Sequence, residues 1–96
     1  MGIEEILQEK RNEILEIARR HGASEVRVFG SVAQGAARAD SDVDLLVRPG
    51  MQTSPWFPAG LILDLEVLLG RKVDVVTEGG LHWYIRDRIL AEAVPL

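Results

Sequence analysis

Residues 26–47 read VRVFGSVAQGAARADSDVDLLV, and the fold turns on how this stretch is divided. Residues 25–29 alternate charged and apolar side chains, the period of a strand with one covered face. Gly30-Ser31 breaks that alternation, and Ala33, Gly35, Ala36 and Ala37 are small enough for a short helix and a loop. A second strand follows, with Val43, Leu45 and Val47 on one side and Asp42, Asp44 and Leu46 on the other. Two acids on one face of a mostly apolar strand need a reason.

Toward the N-terminus, Ile3, Ile6, Leu7, Ile14, Ile17 and Ala18 recur at steps of three, four or seven, predicting one helix over 3–20 that Gly22 ends. Toward the C-terminus, Pro49-Gly50, Ser54-Pro55 and Pro58 mark a loop, with Trp56 and Phe57 expected to plug the core. Leu61, Leu65, Leu68 and Leu69 give a second helix closed by Gly70. A third strand over 72–76 puts Val73 and Val75 on one side and Asp74 on the other. After a turn at 77–80, the last helix is expected over 81–93, with Ile85 in the core and Trp83 either core or docking surface. The order α, β, short α, β, α, β, α defines an α/β (α+β) class in which helices pack on a small sheet.

A chain of 96 residues has room for one domain, 1–96, and none for a separate substrate domain. Its hydrophobic share is 47%, with two Phe, two Trp and one Tyr, so the core must come from Leu, Ile, Val and Ala. Eleven basic against fifteen acidic residues give a formal charge of −4, which leaves no electrostatic grip for a nucleic-acid backbone. The absence of cysteine excludes disulfides, thiolate metal sites and cysteine nucleophiles within the chain. No apolar run is long enough to cross a bilayer, and MGIEEILQEK carries acids where a signal peptide has bases. These features lead us to expect a soluble, cytoplasmic protein.

Three carboxylates projecting from two strands of one sheet would repel one another, and a hard divalent cation relieves that repulsion. Mg²⁺ takes one or two carboxylates and completes its shell with water and phosphate. Asp42 and Asp44 can therefore share one ion, and Asp74 can complete a two-ion site for in-line displacement, with Asp74 as the general base. Gly30 leaves room for a phosphate, to which the Ser31 hydroxyl and the first N–H groups of the following helix can donate. Taken singly, each feature is commonplace: Gly-Ser is a frequent turn, and Asp-x-Asp is usually a solvated or capping pair. Rival motifs fail on their own terms. A P-loop needs Gly-Lys-Ser/Thr where this chain has Gly35-Ala36-Ala37. An EF-hand loop opening at Asp40 would need its turn glycine at Leu45.

Phe29-Gly30-Ser31, ten residues, then Asp42-x-Asp44-Leu45, with Val73-Asp74-Val75 downstream, resembles the nucleotidyltransferase superfamily related to DNA polymerase beta, and in particular its minimal members. The resemblance implies a mixed sheet flanked by helices, two Mg²⁺ ions and ATP or another nucleoside triphosphate as donor. It implies metal-ligating and catalytic roles for Asp42, Asp44 and Asp74, and phosphate-holding roles for Gly30 and Ser31. Many such proteins are antitoxins that act on a helical HEPN toxin, by binding and in some systems by transferring AMP to a toxin tyrosine. Relatives often carry arginine where this chain has Gln34, and Arg38 further along the loop is the candidate to supply that charge. The expected activity is thus adenylyl transfer to a HEPN-type partner in a hetero-oligomer, with self-association left open. The alternatives are a non-catalytic antitoxin that works by masking the toxin, and a nucleotidyltransferase acting on a small molecule.

Overall fold

The computed structural model describes residues 3–35 and 42–96. Helices α1 (Ile3–Glu9) and α2 (Arg11–Arg20) lead into strand β1 (Ala23–Phe29), followed by the four-residue helix α3 (Gly30–Ala33). Then come β2 (Val43–Pro49), α4 (Ala59–Leu69), β3 (Val73–Thr77), a 3₁₀ turn (Glu78–Gly80), α5 (Trp83–Glu92) and the two-residue β4 (Val94–Pro95). The sheet order is β3-β2-β1-β4. It is mixed: β2 and β3 run parallel, while β1 is antiparallel to both β2 and β4.

The alternation read from the sequence decides which face is packed. Val26 and Val28 of β1, Val43, Leu45 and Val47 of β2, and Val73 and Val75 of β3 join one buried cluster. Helices cover that face through Leu7 of α1, Ile14 and Ala18 of α2, and Leu61, Leu65 and Leu69 of α4. Burying each of these leucines fully is worth about 2 kcal/mol relative to exposure, so the i, i+4 spacing of α4 holds it on the sheet. The helix ends at Gly70, whose φ is 66°.

Four expectations need correction. The single helix over 3–20 bends at Lys10 (φ −99°, ψ 11°) into α1 and α2, because the two halves have different neighbours. α2 lies on β1 and α4, whereas Leu7 of α1 lines a cavity with Val32 of α3 and Leu96 beyond β4. Of the expected plug, Phe57 packs against the core but Trp56, at φ 62°, is 88% exposed. Ile85 is not core: it is 40% exposed, no residue of α5 is buried, and Ile89 and Leu90 make the half-buried side of that helix. Finally, the chain turns extended at Ala93 and adds β4, pairing Val94 with Val28 and Pro95 with Arg27. Proline fits there because an edge strand can spare the N–H that proline lacks.

The loop after β2 is tied down at the end of α2. Gly22 (φ 93°) lies so close to the backbone of Gln52 and Thr53 that a Cβ would collide with them. His21 Nδ1 is 2.6 Å from Ser54 Oγ and its Nε2 is 2.7 Å from Asp64 Oδ2, so one ring joins α2, the loop and α4. Replacing His21 with alanine is expected to cost about 1 kcal/mol, the net worth of such bonds. A urea unfolding midpoint checks this, and an unchanged midpoint would show that the clasp contributes nothing. Among the described residues no helix is long and apolar enough to cross a membrane.

Candidate active site

The face of the sheet that the helices leave uncovered is laid out in rows by the strand register. Phe29, Asp44 and Asp74 form one row across β1, β2 and β3. Arg27, Leu46 and Val76 form the next. Leu46 is buried yet stands outside the core cluster, which places it on this second face. From that row, Arg27 joins Arg48 in pairing with Glu25 and Glu78; the Arg27–Glu78 contact is 2.7 Å. This network pairs two arginines with two glutamates on the side of the face away from the acids.

Asp44 and Asp74 are direct partners in the parallel β2–β3 ladder, so their Cα atoms stand about 4.8 Å apart, the interstrand spacing. Asp42 precedes the strand on the same face. Asp42, Asp44 and Asp74 line one cavity of about 310 Å³ together with Lys72 and Val73. Burial raises the Asp44 carboxyl above the ordinary aspartate range, and the charges of Asp74 and then Asp42 raise it further. A larger groove of about 530 Å³ between α2 and β1 contains none of the motif residues, and its Glu16 and Arg19 pair with each other.

Gly30 sits against this cluster. It has φ 73°, a conformation that disfavours any side chain, and a Cβ there would run into the Asp44 carboxylate. The absence of a side chain is therefore what lets the β1–α3 turn close over Asp44. Ser31 follows as the second residue of α3, half-buried. The N–H groups in a first helical turn lack intrahelical acceptors, the general property by which a helix start can meet an anion. The structure thus brings Gly30, Asp42, Asp44 and Asp74 to one end of the open face. Arg38 lies outside the described residues, and Gln34 is exposed just after α3. Lys72 escaped the sequence reading, although its position two residues before Asp74 on a strand already put both on one face.

Among the described residues no group of three or more His, Cys, Asp or Glu side chains converges closely enough to hold a metal ion unaided. The neighbouring carboxylates of half-buried Asp44 and exposed Asp74 still match a hard cation. Mg²⁺ commonly accepts two carboxylates when water and substrate phosphate fill the remaining positions.

Residues 11–96 match the nucleotidyltransferase domain family, and the chain belongs to it. It is 39% identical over 94 residues to the protein adenylyltransferase MntA of Thermococcus cleftensis, covering 96% of this chain and 90% of that one. It superposes on the structure of a proposed minimal nucleotidyltransferase with a TM-score of 0.85 at 49% identity, over 97% of this chain and 95% of the other. The fold is also shared with a toxin–antitoxin structure containing AMP-PNP, at a TM-score of 0.74 and 21% identity, covering 88% of this chain and 69% of that one.

Proposed function

We propose that this chain, acting as one domain over 1–96, transfers AMP from ATP to a tyrosine of a HEPN-type toxin and so serves as the antitoxin of the pair. The observation that carries the reading is the register of Asp44 against Asp74 on the open face, beside a glycine kept bare by Asp44 itself. The relative named a protein adenylyltransferase supports the chemistry. The toxin–antitoxin structure with AMP-PNP supports the partner and the donor.

In this mechanism Gly30, Ser31 and the first N–H groups of α3 hold the triphosphate tail of ATP. Asp42 and Asp44 would hold Mg²⁺, with Asp74 completing a second position; the ions would supply charge neutralisation at the α-phosphoryl group. The tyrosine hydroxyl oxygen attacks the α-phosphorus, the bond to pyrophosphate breaks, and the proton passes to Asp74. Positioning the two reactants in line provides much of the acceleration. Incubation with labelled ATP, Mg²⁺ and the cognate toxin is expected to label the toxin on tyrosine. An unlabelled toxin, or label that survives a tyrosine-to-phenylalanine change there, overturns the reading.

A second reading, neutralisation by binding alone, is favoured by the uncharged Gln34 just after α3 and by the exposed Trp83 and Tyr84 on α5. It predicts that a variant with all three aspartates changed to alanine protects cells from the toxin as well as the parent does.

A further inference from the structure

We infer that Lys72 binds the α-phosphoryl group of the donor nucleotide, from the side of the site opposite the Gly30-Ser31 turn. The inference rests on the proposed nucleotidyl transfer and names a residue that supplies positive charge to the donor. Lys72 lines the same cavity as Asp42, Asp44 and Asp74 and, among the described residues, is the one basic residue lining it. Its place is fixed by the backbone: the Val43 N–H donates to the Lys72 carbonyl at 3.0 Å, which sets the residue beside Asp42 at the start of the β2–β3 ladder.

The side chain is exposed, and among the described residues it makes no ion pair, although three carboxylates share its cavity. A lysine beside the acids that makes no close ion pair with them is available to an anion brought in by the substrate. The row order says which anion. Gly30-Ser31 lies at the β1 side, Asp44 on β2 in the middle and Lys72, the residue just before β3, at the far side. A triphosphate whose tail rests on the β1 turn therefore presents its α-phosphoryl group, not its β- and γ-phosphates, toward Lys72. An ammonium at that point needs no partner arginine at position 34, and it sits where negative charge is redistributed as the bond to pyrophosphate breaks.

AMP and adenosine differ by that single phosphoryl group, so titration calorimetry of each against the full chain isolates the contact. In Lys72→Ala the affinity for AMP is expected to fall about 10- to 100-fold, the worth of one charge-assisted hydrogen bond, with adenosine affinity unchanged. Lys72→Arg should recover most of the AMP affinity, and thermal melts confirm that both exposed-site variants fold. In the transfer assay Lys72→Ala should lower kcat more than it raises the KM for ATP, because charge at the α-phosphorus counts most in the transition state. Equal AMP affinity in parent and Lys72→Ala, or a parent that fails to bind AMP, overturns the assignment. A parent that binds AMP through Lys72 but labels no toxin would overturn the proposed acceptor and leave Lys72 in place.

Discussion

Asp44→Asn is expected to reduce nucleotidyl transfer by at least about 10³-fold, because the proposed mechanism has this carboxylate hold the ion. Asp44 stands between the other two acids, so its removal leaves Asp42 and Asp74 without the residue that links them. The same change should stabilise the metal-free protein at neutral pH. Burial and two neighbouring charges hold the Asp44 pKa above its unfolded value, so the folded state binds the proton more tightly. Stability contributed at this position is therefore present at low pH and lost as pH rises through the folded pKa. Thermal melts of both proteins from about pH 4 to about pH 7 should show a steeper fall for the parent, with the variant ahead at the neutral end. A variant that melts lower than the parent at neutral pH would contradict the electrostatic account, whatever its activity.

Gly30→Ala is the second large effect. An added Cβ must be carried at φ 73° and in contact with the Asp44 carboxylate. The left-handed backbone alone costs an L-residue about 1–2 kcal/mol. Relief by rotating Asp44 away would take the carboxylate out of the cavity it shares with Asp42 and Asp74. Transfer is thus expected to fall about 10²-fold through misplacement of a reacting group, together with the loss of stability. A denaturant midpoint and a single-turnover rate separate the two parts. If Gly30→Ala retained full activity, the close approach of turn and acid would have no role in the chemistry.

Both predictions join parts of the chain that the sequence reading had assigned separate roles, the turn to phosphate and the acids to metal. Their mutual dependence comes from the Gly30–Asp44 contact, which no spacing rule reports.

The sequence by itself determined the strand faces, since a period of two sends Val43, Leu45 and Val47 one way and the acids the other in any register that buries the valines. It also determined the ends of α2 and α4 at Gly22 and Gly70, and the family, through the Gly-Ser and Asp-x-Asp spacing. Tertiary structure alone decided what lies beside what. That Asp44 faces Asp74 depends on β2 and β3 pairing in parallel, a choice made by the α4 crossover packing on the sheet. The bend at Lys10, the exposure of Ile85 and the edge strand at Val94 follow from which neighbours each segment finds, and periodicity carries no record of those neighbours. Lys72 belongs to the same class. Its side of the strand was legible beforehand, but only the pairing with β2 set it beside Asp42 in the acid cavity.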